Sequence, residues 1–144
     1  MRAEVKDRPP ARFNRAGQNA LYLSPNEESA RVALRSYEIG ESPERVLLTY
    51  QLETCTLFDL RGPEASDLYA RARQPWRVAL EAGEEPPSWA AADEIQAAGY
   101  VGLIDPSRQK SGLWHVAIFR WNEPGAPGIR AVGQPIPIVL RPEA

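Results

Sequence analysis

The residues best suited to chemistry lie in Arg12-Phe13-Asn14-Arg15-Ala16-Gly17 and, two residues on, in Ala20-Leu21-Tyr22-Leu23-Ser24. A guanidinium at Arg12 offers a planar, permanently charged fork that matches phosphate oxygens. Tyr22 sits between two leucines in a short apolar run. In a strand it points to the face opposite both, where a phenol can stack on a ring or bond a hydroxyl. Asn14 supplies a donor and an acceptor beside it, and Gly17 permits a tight turn. This pattern suits a small anionic ligand with an aromatic ring. A second polar segment, Asp105-Pro106-Ser107-Arg108-Gln109-Lys110-Ser111-Gly112, holds Ser107 and Arg108 where a phosphate or ribose contact is plausible. Turn chemistry alone also produces an Asp-Pro-Ser segment.

Other chemistries find less support. One histidine and one cysteine, His115 and Cys55, cannot assemble a metal site at ordinary ligand spacing, so no metal is expected. No Gly-x-Ser-x-Gly surrounds a serine, which argues against a serine hydrolase. His115 lies in an alternating strand, on a face with Ala117 and Phe119, and reads as structural or surface. Cys55 reads as a small buried hydrophobe. Net charge is −2 with the signs interspersed, which speaks against direct nucleic-acid binding driven by bulk charge. No apolar run approaches the roughly 18 residues of a membrane helix. With one cysteine and a charged first segment in place of a signal peptide, a soluble cytoplasmic protein is expected.

These residues need elements to hold them. The 144 residues suit one domain, with residues 1–10 a poorly ordered arm and 11–144 the folded unit. Residues 20–23 predict a buried strand. Ser24-Pro25-Asn26-Glu27 reads as a capping box opening a helix that runs to about Tyr37, with Ala30, Ala33, Leu34 and Tyr37 on its apolar face. That assignment claims Glu27 for the cap and leaves Glu28 and Glu38 on the helix surface. Residues 45–60 predict one or two strands with a turn or bulge near Glu53. Pro75 splits 63–82 into two short helices. Ser88 is expected to cap a helix over 89–98 that closes on Gly99. Strands follow at 100–104 and 113–119, then a turn over 122–128. The last strand, 136–140, contains Pro137 and belongs at an edge. Strands interrupted by helices without βαβ alternation make this an α+β domain.

From Arg12 to Phe119 the chain resembles the RES domain family. The likeness rests on three segments: Arg12-Phe13-Asn14 with Gly17 and the Ala20–Leu23 strand; Leu57-Phe58-Asp59-Leu60; and Ala98-Gly99-Tyr100-Val101-Gly102-Leu103 followed by Asp105-Pro106-Ser107-Arg108. The resemblance implies an ADP-ribosyltransferase-like fold, a mixed or antiparallel split sheet with flanking helices. It implies a toxin that consumes NAD⁺ as substrate by hydrolysis, phosphorolysis or ADP-ribosyl transfer. It also implies an Xre-type antitoxin as partner and leaves a homodimer open. The family arginine falls on Arg12, a family tyrosine on Tyr22 and the family serine on Ser107; beside them Arg108 is a candidate NAD⁺ contact, and Asn14 is equally suited to bonding the nicotinamide-ribose or to holding the loop. The family glutamate would fall where this chain has Ala33 and Leu34. Glu38, one turn beyond, is the acid that a shifted alignment would put in its place. A domain of this family that has lost catalysis and kept nucleotide or protein binding is the alternative, and an unrelated α+β domain is a third reading.

Overall fold

The computed structural model describes residues 8–35, 45–62 and 65–138. Six strands and four helices follow in the order β1 (Leu21–Leu23), α1 (Glu27–Arg35), β2 (Arg45–Leu52), β3 (Phe58–Asp59), α2 (Ser66–Ala72), α3 (Trp76–Glu81), α4 (Pro87–Ala97), β4 (Gly102–Pro106), β5 (Trp114–Ile118) and β6 (Ile129–Ile138). Four strands form a mixed sheet in the order β1-β5-β4-β3, and β2 and β6 form a separate antiparallel pair. In this sheet β3 and β4 run parallel, while β4–β5 and β5–β1 are antiparallel. The expected α+β class with two sheets is what the chain adopts.

Both faces of the four-stranded sheet are covered, because alternate residues of its strands are apolar on each side. Leu103, Ala117 and Phe119 pack against Ala72 of α2 and Ala92 and Ile95 of α4. Val116, Ile118 and Ile104 face the other way, onto Leu52 and Ile129 of the two-stranded sheet. Arg71 ties α2 to α4 through Glu94 and pairs with Asp67 on its own helix. Gly102 allows β4 and β5 to approach: a Cβ there would lie 2.3 Å from the Ala117 carbonyl oxygen. Pro75 separates α2 from α3, and Gly99, at φ +97°, ends α4.

Several expectations shift. Asn26, not Ser24, caps α1: its Oδ1 accepts the Ser29 N–H at 2.9 Å, since the chain at Ser24 still continues the line of β1. The buried side of α1 begins with Ser29 and Val32, both under 5% exposed, whereas Ala30 is half-buried. Tyr37 and Glu38 lie outside the described residues, as does most of the expected arm. Arg8, at its end, is anchored, donating to the Ala20 carbonyl at 2.6 Å with its guanidinium 5.7 Å from the Trp121 ring centroid. Ser88 does not cap α4. The helix starts on Pro87, which has no N–H to cap, and the Ser88 hydroxyl donates instead to the Arg12 carbonyl. β4 runs to Pro106, which moves Asp105 from loop to strand. β6 begins seven residues earlier than expected. Gly133 (φ +71°) and Pro135 fall at a register shift that hides the alternation. Pro137 is in an edge position, as both strands of a two-stranded sheet must be.

Candidate functional site

The Arg12 loop is a tight turn closed by mutual backbone hydrogen bonds between Ala11 and Asn14. Two side chains of α4 hold it from outside. Trp89 Nε1 of α4 donates to the Ala11 carbonyl at 2.8 Å, and Ser88 holds the Arg12 carbonyl. Phe13 inserts into the core at 3% exposure. The Arg12 guanidinium donates through Nη1 to the carbonyls of Ala72 and Gln74, at 3.0 and 3.1 Å. The Ala72 carbonyl ends α2 and the Gln74 carbonyl lies two residues beyond it, where free backbone acceptors favour a cation. Arg12 therefore fixes the end of α2 and the rim of a cleft at once.

Asn14 is 2% exposed and bonded throughout. Its Nδ2 donates to the carbonyls of Pro9 and Arg15, both at 3.0 Å, and its Oδ1 accepts the Tyr22 hydroxyl at 2.6 Å. The same phenol oxygen accepts the Phe13 N–H at 3.0 Å. Tyr22 is thus the post to which the loop is latched, while 44% of its surface stays exposed. Arg15 turns away from the cleft, pairing with Glu85 and Asp93 and lying over the Trp89 ring.

One open cleft of about 810 Å³ collects these groups, within the range of small-molecule and cofactor sites. Arg12, Tyr22 and Arg108 line it, joined by Trp76 and Arg77 at the start of α3 and by Tyr50 of β2. Among the described residues its lining carries three arginines against two carboxylates, Glu27 and Asp105. Each carboxylate has an arginine partner. Glu27 lies 3.6 Å from Arg31, and Asp105 takes both arms of the Arg108 fork at 2.7 and 2.9 Å. Asn14 and Ser107 are not among the lining residues. Ser107 Oγ accepts the N–H groups of Gln109 and Lys110, both at 3.2 Å, so it shapes the turn that carries Arg108.

A polar row along the sheet escaped the sequence reading. Asp105 on β4 is the direct cross-strand partner of His115 on β5, so their side chains share a face. Next along, Ser24 Oγ and His115 Nδ1 are 3.3 Å apart. Tyr22, opposite Ala117, completes the row on the same face. Burial pushes the His115 imidazolium below the usual histidine range. Asp105 pulls the other way, and Arg108 adds to the depression. The signal was present in the period-two alternation that put His115 beside Ala117. It was lost when Asp105 was read as loop and Ser24 as a cap. Among the described residues no cluster of histidine, cysteine and carboxylate side chains fits a metal. Cys55 is half-buried, with its thiol pushed up by burial.

Fold and site together define a small α+β domain with a cationic, aromatic cleft at the rim of its mixed sheet. The family model of the RES domain matches residues 2–141, nearly the whole chain, and the protein belongs to that family. No curated protein and no solved structure matches it significantly. Among the described residues no helix is long and apolar enough to cross a membrane.

Proposed function

We propose that this RES domain binds NAD⁺ in the 810 Å³ cleft and cleaves the bond between nicotinamide and ribose. The observation that carries the reading is the convergence of Arg12, Tyr22 and Arg108, distant in sequence, on one cleft of a RES-family chain. Arg12 and Arg108 supply positive charge for the pyrophosphate. The Tyr22 ring offers a stacking surface to nicotinamide, with Trp76 and Tyr50 further along. Asn14 and Ser107 act one step back, holding the phenol and shaping the Arg108 turn. Cleavage builds positive charge on the ribose, so a nucleophile brought in line displaces nicotinamide as a neutral leaving group. In this reading the cell's cytoplasm supplies NAD⁺, and an Xre-type antitoxin silences the domain.

Nicotinamide release and NAD⁺ loss by purified protein, with and without phosphate, test the proposal alongside calorimetric binding. Release in step with NAD⁺ loss is expected, and Arg12→Ala weakens binding at least about tenfold through the lost charge-assisted contacts. Absence of both binding and release refutes it. A second reading, binding without turnover, is favoured by one observation: Ala33 and Leu34 stand at the family glutamate's place, and among the described residues both carboxylates lining the cleft are engaged by arginines. Calorimetric binding with no nicotinamide release selects it. Growth arrest on expression, relieved by a co-expressed antitoxin, tests the partner.

A further inference from the structure

Hydrolysis of the nicotinamide–ribose bond is accelerated by a group that takes a proton from the attacking water. Among the described residues the two carboxylates that line the cleft are ion-paired, Asp105 in a two-pronged bridge and Glu27 at longer range. The imidazole of His115, the chain's single histidine, lines the same cleft. It is half-buried and shares the sheet face of Tyr22, with β1 and β5 adjacent. Ser24 from the end of β1 meets its Nδ1, and Asp105 stands directly opposite on β4.

We infer that His115 is the proton acceptor of a water-dependent cleavage, with Ser24 and Asp105 as its positioning residues. The inference rests on the NAD⁺-cleaving reading and deepens it by naming water as the acceptor. With the proton on Nδ1 donated to Ser24 Oγ, Nε2 keeps its lone pair. Asp105 across the strand pair favours the imidazolium that forms, and the Arg108 fork keeps that carboxylate oriented. In the step itself the water oxygen bonds to the ribose C1′ as the C1′–N1 bond breaks. The electron pair of that bond passes to the pyridinium nitrogen, which leaves as neutral nicotinamide. The water proton moves to Nε2 and is later released to solvent. No oxidant, reductant or metal enters the balance. Phosphate as acceptor arrives already anionic and needs no base, so His115 matters for one acceptor and not for the other.

That difference is the test. In full-length protein, His115→Gln keeps a neutral, hydrogen-bonding side chain of similar reach. It should lower the hydrolytic kcat by about 10²-fold or more, the usual contribution of a general base. NAD⁺ affinity should change by less than about threefold, since binding rests on the arginines and aromatic rings. Wild-type hydrolysis should fall on the acid side as the imidazole is protonated, and the variant should lack that limb. The charged groups bearing on the ring are Asp105 on β4 and Arg108 in the following loop. Tyr22 and Glu27 line the cleft from β1 and α1. Ser24→Ala should shift the acid limb and reduce kcat, with Ser24→Thr restoring both. Hydrolysis unchanged in His115→Gln, or an acid limb that persists in it, overturns the assignment of His115 alone. Release that requires phosphate overturns the choice of water and leaves NAD⁺ cleavage standing. A wild-type protein that releases no nicotinamide under either condition overturns the assignment of His115 and the NAD⁺-cleaving reading together.

Discussion

Replacing Tyr22 by phenylalanine removes one oxygen and tests how the Arg12 loop is held. That oxygen donates to Asn14 Oδ1 at 2.6 Å and accepts the Phe13 N–H at 3.0 Å. Asn14 and Phe13 are 2% and 3% exposed, so water cannot readily take the oxygen's place. A buried polar group left without a partner costs about 1–3 kcal/mol. Two such groups, relieved in part by local adjustment, should cost about 2–4 kcal/mol. A 144-residue domain unfolds with an entropy near 0.3 kcal/mol per kelvin, so the midpoint should drop by about 7–13 °C. Thermal unfolding followed by circular dichroism measures it. A double-mutant cycle with Asn14→Ala isolates the pair, and a coupling of at least about 1 kcal/mol is expected. The aromatic ring survives in the variant, so stacking on a ligand is retained while the loop loosens. A midpoint within about 2 °C of wild type, or strict additivity in the cycle, would falsify the view that the phenol latches the loop.

Other perturbations probe different parts of the molecule. Gly102→Ala drives a methyl group to 2.3 Å from the Ala117 carbonyl oxygen, so β4 and β5 must part. A loss of at least about 3 kcal/mol in chemical denaturation is expected. Ser29→Ala should stabilise by about 1 kcal/mol, because the Ser29 hydroxyl is fully buried with no hydrogen-bond partner among the described residues and alanine is the better helix former. A lower midpoint in that variant would point to a bond formed by the hydroxyl. Arg108→Ala strands the nearly buried Asp105 carboxylate and should cost about 3–5 kcal/mol. Adding Asp105→Asn in that background should recover part of the loss, measured by the urea midpoint. His115 has a folded pKa below its unfolded value of 6.5, so the unfolded chain binds the proton more readily. Its share of stability is complete above pH 6.5 and is lost as pH falls through the lower folded value. Denaturation midpoints from pH 8 to 5 should therefore fall more steeply for wild type than for His115→Gln.

Much of the fold was legible because local rules and tertiary packing agree. The Leu-Tyr-Leu alternation of β1, the Pro75 break, the glycine that ends α4 and the apolar run of β5 each follow from backbone chemistry within a few residues. Disagreement arose where two residues could do the same local job. Ser24 and Asn26 both suit an N-cap, and β5 decides by pairing with β1 as far as Leu23. β6 was half-hidden because a register shift places Gly133 and Pro135 inside a strand, where period-two reading fails.

The candidate site divides along the same line. Residue type and order alone carry the class of fold, the family, and the charged and aromatic side chains suited to a small anionic ligand with a ring. What those side chains touch follows from the three-dimensional packing. It spends Asn14 on the loop and Tyr22, uses Arg12 to cap α2, turns Ser107 into the support of Arg108, and aligns Ser24, His115 and Asp105 from three different strands or their ends. The physical reason is separation along the chain. A hydrogen bond between residues 24 and 115 leaves no trace in either local segment, since it exists only once β1 and β5 have paired.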